Sequence, residues 1–321
     1  MQTRRLGNDG PEITVVGFGA WEAGGDMWGP NRSEDRVIEA IRAGLDAGMN
    51  WIDTAEVYGS GTSEELVARA IQGRRDGILL ATKVAPEPTG TGFRPEQVRE
   101  ACRKSLKRLS TDWIDLYQLH WLDSTGVPLE DTWGAMVGLV EEGLVRHIGV
   151  SNFEREHIEL CMKVRHVDSL QPQFSMLHLD HRELIEWCGE KGVGVVAYGP
   201  LAFGLLTGAI DHTTTFERGD WRRGDMDMDA YDEMFAPGKL ERSLAVVDAM
   251  RPIAERLGCG VSELALAWAF HQPGVTSAIA GSRNPEHVRE NARAGNISLD
   301  KETLDELEGI IRLGPSFAEQ E

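Results

Sequence analysis

The chain has 321 residues, with 33 Lys plus Arg against 52 Asp plus Glu and a formal net charge of −19. That balance disfavours nucleic acid or an anionic membrane as a partner, because the average surface repels both, although local helix N-termini can still hold an anionic cofactor. Apolar residues make up 41%, enough for a large core, and no stretch reads as a signal peptide or a spanning apolar run, so a soluble, cytoplasmic protein is expected.

Thr3 to Leu6 and Ile13 to Val16 flank the turn-rich Gly7-Asn8-Asp9-Gly10, which predicts a small opening hairpin. Strand and helix patterns then alternate. A strand over Asn50 to Asp53 leads to a helix starting near Thr62, where Thr62-Ser63-Glu64-Glu65 has the spacing of a capping box. A strand over Ile78 to Thr82 precedes a helix from Pro95 into Leu106. One over Asp115 to Leu119 precedes a helix over Leu129 to Glu142. Next come a strand at Arg146 to Val150 with a helix near Arg155 to Met162, and a short strand at Ser169 to Gln171 with a helix at Arg182 to Lys191. The last strands are Val193 to Tyr198 and Val275 to Ala280, with helices at Val261 to Phe270 and Pro285 to Ala294.

With Ile13 to Phe18 included, this rhythm makes roughly eight β units and predicts one (β/α)8 barrel of the α/β class. It is too even for separable domains, so residues 1–321 are expected to form one. A doubly wound sheet would want Gly-x-Gly-x-x-Gly opening its first helix. Gly17-Phe18-Gly19-Ala20-Trp21-Glu22 puts a glutamate where the third glycine belongs. One segment breaks the rhythm. Phe203 to Leu240 carries Gly204, Gly208, Gly219, Gly224 and Gly238 and the acidic Asp225-Met226-Asp227-Met228-Asp229. A connection of that length reads as a long loop or lid, with Asp220-Trp221-Arg222-Arg223 as its anchor on the body. Cys102, Cys161, Cys188 and Cys259 are widely spaced and read as core thiols; the nine histidines show no metal-ligand spacing, so no metal is implied.

Three successive strand-like runs end in an acid, a base and an imidazole: Asp53, Lys83 and His120. In a parallel barrel that end is where chemistry is assembled, and strands two, three and four are neighbours. Tyr58 reaches in from the second βα loop. Each residue alone also fits a turn, a solvated surface or a core position; their joint placement is what points to one pocket. Lys83 paired with Asp53 would place a cation beside the Tyr58 hydroxyl and favour its phenolate, making a tyrosine, ordinarily near pKa 10, a better proton donor. A neutral His120 would hold a substrate carbonyl against it. With no activated serine or thiol in the group, protonation of an oxygen fits better than acyl transfer. Trp21, Trp28 and Trp121 lie near the same mouth and suggest a ligand wall. Trp51, Trp113, Trp133, Trp187 and Trp268 fall within element patterns and read as structural.

These motifs resemble the aldo-keto reductase superfamily over essentially the full chain. Asp53, Tyr58, Lys83 and His120 match its tetrad in order and context. Gly44 to Ala55 resembles its first signature, Ser151-Asn152-Phe153 the segment after the fifth strand, and Gly281-Ser282-Arg283-Asn284-Pro285 the cofactor-phosphate loop. The surroundings of Trp21, Trp28 and His120-Trp121 look most like bacterial reductases related to general-stress and vegetative proteins. The resemblance implies a TIM barrel that binds NADP(H), or sometimes NAD(H), in extended form. It assigns the carboxamide to Ser151, Asn152 and Gln171, nicotinamide stacking to Tyr198, and the pyrophosphate cover to Leu201, Gly204, Leu205 and Gly208. It places Ser282, Arg283 and His287 at the 2′-phosphate and Glu290 and Asn291 at the adenine. Many relatives carry lysine at the position of Gly281 and arginine or glutamine at that of His287, so NADP(H) preference rests here on Arg283, which suits a bidentate phosphate contact.

The activity this implies is reduction of an aldehyde or ketone with Tyr58 as proton donor. Net oxidation of a sugar or polyol would use the same residues in reverse. A cofactor-sensing subunit of the kind that accompanies channels is the other class the resemblance admits. Substrate identity and oligomeric state are not legible at this stage.

Overall fold

The computed structural model describes residues 1–30, 33–224, 226 and 233–316. Eight parallel strands close a barrel: β3 (Val16–Gly19), β4 (Trp51–Asp53), β5 (Leu79–Val84), β6 (Ile114–Leu119), β7 (Val145–Ser151), β8 (Ser169–Gln171), β9 (Gly194–Ala197) and β10 (Val275–Ile279). Around the barrel they follow chain order, with β10 beside β3. Every residue of β6 and β10 is buried. A strand between an outer helix layer and a filled interior has no solvent face, which is why these runs lack a simple apolar-polar alternation.

The expected hairpin is present, as β1 (Thr3–Arg5) and β2 (Glu12–Thr14) in antiparallel pairing. It closes the N-terminal end of the barrel. Leu6 and Ile13 pack with Trp51, Leu116 and Val196 inside, and the Trp51 indole donates to the Thr14 carbonyl at 3.1 Å. The run expected from Ile13 to Phe18 is therefore two strands: the Val15 N–H still keeps the hairpin register in donating to the Gln2 carbonyl, and from Val16 the chain pairs with β10 in the barrel.

Helix starts follow local chemistry. Ser33 accepts from the Arg36 N–H to open the Glu34–Asp46 helix, and Asn284 accepts from the Glu286 N–H ahead of Pro285. The capping box expected at Thr62 is not formed. Gly59, Ser60 and Gly61 all have positive φ, and they turn the chain so far that Gly61 is the cap and Thr62 already lies inside the helix. The polar side chains that follow serve tertiary links instead. Ser63 donates to the Ala20 carbonyl at 2.7 Å, and buried Glu64 pairs with Arg108 at 2.5 Å and accepts from Thr82 at 2.6 Å. The glycine at 59 is required twice over, since a Cβ there would sit 2.2 Å from the Gly24 carbonyl oxygen.

Helices at Glu34–Asp46, Lys239–Leu257 and Lys301–Ile311 add to those expected from the sequence. Within 203–240 the chain makes short 3-10 turns at Ala202–Thr207 and Trp221–Arg223. The second is anchored as expected. Asp220 bridges to Trp28, the Trp221 N–H donates to the Met27 carbonyl at 2.9 Å, and the Trp221 ring is fully buried and stacked on Trp21 at 6.3 Å. Of the acidic run, Asp225, Asp227, Met228 and Asp229 lie outside the described residues. Cys102, Cys161 and Cys188 are buried, and burial pushes each thiol up to about 12, so they behave as small apolar groups. Among the described residues no helix is long and apolar enough to cross a membrane.

Candidate active site

Strand register brings the predicted residues together. Asp53 ends β4 and pairs with Gly19 on β3 and Ala81 on β5, and Lys83, two residues on, lies directly beside Gln118 on β6. The loop after β4 is tied to β5 by the Glu56 N–H, which donates to the Lys83 carbonyl at 3.3 Å. Two residues on, Tyr58 stands over the strand ends. The Glu56 carboxylate accepts from the N–H groups of Ala85 and Thr91 at 3.0 Å each and from the Thr91 hydroxyl at 2.7 Å. It holds the Tyr58 loop to the following one.

At the mouth, Lys83 is wholly buried. Its Nζ donates to Asp53 Oδ1 at 2.5 Å, to the Thr54 carbonyl at 2.9 Å and to the Tyr58 hydroxyl oxygen at 3.5 Å. The ammonium also lies 5.2 Å from the Tyr58 ring centre. Burial pushes the lysine below its ordinary value, and the Asp53 carboxylate pulls it back. A buried cation stays charged only with such a partner. The His120 ring is 5.6 Å from that of Tyr58, edge to face, and Trp121 stacks on it at 3.8 Å. Burial, with the Lys83 charge adding to it, drives His120 well below its ordinary 6.5. At neutral pH the imidazole is therefore uncharged, a hydrogen-bonding group rather than an acid.

That shift has a consequence for stability. Below pH 6.5 the unfolded chain protonates His120 and the folded chain does not, so its contribution is intact above that value and is lost progressively as pH falls. The wild-type melting temperature should drop between about pH 7.5 and about pH 5, and His120→Gln should drop less. Equal drops would assign the acid sensitivity to His178 and His271, which burial also lowers.

The residues expected to hold a nicotinamide lie on the adjoining strand ends and are already linked. Ser151 donates to the Gln171 carbonyl at 2.9 Å, Asn152 to the His120 carbonyl at 3.1 Å, and the Tyr198 hydroxyl to Asn152 Oδ1 at 2.9 Å. Gln171 Nε2 donates to Asp53 Oδ2 at 2.9 Å, which joins this group to the tetrad. Asn152 has φ of 59°, a conformation asparagine tolerates better than most residues. Leu205 is fully buried beneath its turn, whereas Leu201, Gly204 and Gly208 are partly exposed along it.

At the far end, Ser282 accepts from the Asn284 N–H at 3.1 Å and lies 3.5 Å from exposed His287. Glu290 is half-buried and Asn291 buried on the next turns. Arg283 reaches across the mouth rather than along its own helix. Its guanidinium donates to the Trp28 carbonyl at 2.6 Å and lies 3.7 Å from Glu22.

Trp21 and Trp121 are partly exposed beside Tyr58 and His120, with Trp21 6.4 Å from the tyrosine ring. Trp28 is buried behind Trp21, edge to face at 4.9 Å, so it backs the wall and does not surface it. Trp221 and Phe203 complete this aromatic cluster. Sequence reading treated Trp221 only as an anchor. Gln118, in contact with Asp53, went unnoticed, although strand alternation puts it on the same face as His120 two residues later.

A parallel barrel with a buried lysine-carboxylate pair beside a tyrosine and a neutral histidine at its C-terminal mouth defines an oxidoreductase acting on carbonyl and hydroxyl groups. Residues 15–312 match the Aldo/keto reductase family, and the chain belongs to it. It is 35% identical to the aldo-keto reductase YhdN of Bacillus subtilis, over 99% of this chain and 97% of that one. Among solved structures it is similar to the glycerol dehydrogenase AKR11B4 from Gluconobacter oxydans, with 32% identity, a TM-score of 0.84, and coverage of 97% and 94%. It is also similar to an aldo/keto reductase from Klebsiella pneumoniae in complex with NADP and acetate, with 30% identity, a TM-score of 0.73, and coverage of 98% and 97%.

Proposed function

We propose that this protein reduces aldehydes or ketones to alcohols with NADPH, and that Tyr58 donates the proton. The observation that carries the reading is the Lys83 ammonium, buried, bonded to Asp53 and 3.5 Å from the Tyr58 hydroxyl oxygen. A cation at that distance favours the phenolate that proton donation leaves behind. Neutral His120 offers a hydrogen bond to the substrate oxygen, so that oxygen is held between an imidazole and a phenol as negative charge builds on it. Trp21 and Trp121 stand beside Tyr58 and His120 and offer apolar surface to a planar or apolar group.

The residues present suit the cofactor. A carboxamide needs donors and acceptors together, and Ser151, Asn152 and Gln171 supply both from adjoining strand ends. Tyr198 offers an aromatic face, and the turn carrying Leu201, Gly204, Leu205 and Gly208 offers backbone groups for a pyrophosphate. Ser282 and Arg283, before a capped helix N-terminus, supply a charged and polar cradle for a 2′-phosphate, with His287 at its edge and Glu290 and Asn291 on the adenine side. When bound, reduced nicotinamide supplies the hydride. The NADP complex of the Klebsiella relative supports this choice of cofactor, with NAD(H) the other candidate.

Arg283→Ala decides between them. It should weaken NADPH by roughly ten- to a hundredfold, as a lost charge-assisted contact of about 1.5–3 kcal/mol implies, and weaken NADH far less. Equal losses would mean that the Glu22 and Trp28 contacts, and not a phosphate, are what Arg283 serves.

Net oxidation of a polyol is a second reading, supported by the likeness to a glycerol dehydrogenase. In that direction Tyr58 takes the proton. A panel of carbonyls with NADPH and NADH, run beside polyols with the oxidised cofactors, tests both directions. No turnover with any carbonyl or alcohol would overturn the proposal.

A further inference from the structure

Level with Lys83, the barrel interior holds a polar shelf where such a layer ordinarily holds branched apolar side chains. Gln118 on β6 is wholly buried. Its Nε2 lies 3.5 Å from Asp53 Oδ2, and its Oε1 accepts from the Ser169 hydroxyl at 3.3 Å. The link to Ser169 passes over β7 at Gly149, which pairs with Gln118 on one side and Ser169 on the other. A Cβ at Gly149 would sit 2.3 Å from Ser169 Oγ and 3.3 Å from Gln118 Cγ, so the missing side chain is what leaves the slot open. A buried amide is costly unless both ends are bonded, and here both are.

We infer that Gln118 is a positioning residue for the proposed reaction: held by Ser169 through the gap at Gly149, it steadies the second oxygen of Asp53 so that the first one faces Lys83. Asp53 Oδ2 has two amide donors, Gln118 and Gln171. Gln171 also stands in the carboxamide cradle, so a bound cofactor draws on its amide. Gln118 sits below that cradle, and its hold on Asp53 is independent of the cofactor. A rotated Asp53 carboxylate would let the Lys83 ammonium move from its place beside Tyr58, and the phenolate would lose its nearest cation.

The inference rests on Tyr58 acting as acid and base, and its test separates the two claims. Gln118→Met keeps the volume and removes the donor. In wild type, alcohol oxidation should rise with pH as the phenolate forms; in the variant that rise should move to higher pH, because the phenolate is less favoured. The kcat should fall about tenfold, the lower end of what one charge-assisted hydrogen bond carries, while KM and NADPH affinity stay within about twofold. Ser169→Ala, which frees Gln118 without adding bulk, should shift the pH profile in the same direction by less. If Gln118→Met does not fold, the Ser169→Ala profile decides the matter alone. A profile that stays in place in the folded variants overturns the inference, whatever happens to kcat or to melting temperature. Inactive wild-type protein would instead overturn the reading on which it stands.

Discussion

Tyr58→Phe should bind NADPH as tightly as the wild type and turn a carbonyl over at least about 10²-fold more slowly, the lower end of what general acid catalysis supplies. The substitution removes one oxygen and keeps the ring that packs edge to face with His120 and beside Trp21. The carboxamide cradle of Ser151, Asn152 and Gln171 and the phosphate loop at Ser282 are untouched. Fluorescence titration of the cofactor beside a steady-state assay separates binding from turnover. Near-normal turnover in folded protein would transfer the proton to another donor. His120 is then poorly suited, since burial keeps it neutral.

Lys83→Met should be costlier still, because it acts on stability as well as chemistry. It leaves the Asp53 carboxylate buried with only amide donors, and breaking a buried pair at one partner costs about 3–5 kcal/mol. Asp53→Leu combined with Lys83→Met removes the stranded charge, so the double variant should recover much of the lost stability and none of the activity. Denaturant unfolding of both variants beside the carbonyl assay makes the comparison. A double variant less stable than Lys83→Met would mean that Gln118 and Gln171 satisfy the Asp53 carboxylate without its lysine, and that the charge is not stranded. Recovery of activity in either would remove Lys83 from the reaction.

Much of this was legible before the structure. Asp53, Lys83 and His120 stand at the ends of apolar runs, and a parallel barrel turns that repeated position into convergence. The helix at Pro285–Ala294 and the strand at Ser169–Gln171 matched residue for residue, because Pro285 opens the one and Pro172 follows the other. Thr62 misled, since a capping-box spacing is local, whereas the glycines of the turn that pulls the residue into the helix answer to distant neighbours, Gly59 to Gly24 and Gly61 to Arg108. The Lys239–Leu257 helix was hidden by Pro252 inside it and by the glycine-rich run before it. Gln118, Glu22 and the resting direction of Arg283 depend on neighbours from other strands and loops. No periodicity records such neighbours.

The central claim is that the mouth holding Tyr58 and Lys83 transfers a hydride between nicotinamide and a carbonyl carbon. The most direct measurement uses NADPH deuterated at C4 on one face, in both epimers, with mass spectrometry of the alcohol formed. One epimer should place deuterium on the carbinol carbon and the other should not, and Tyr58→Phe should suppress the product without changing which face is used. Alcohol carrying no label from either epimer, or undiminished product from Tyr58→Phe, would contradict it.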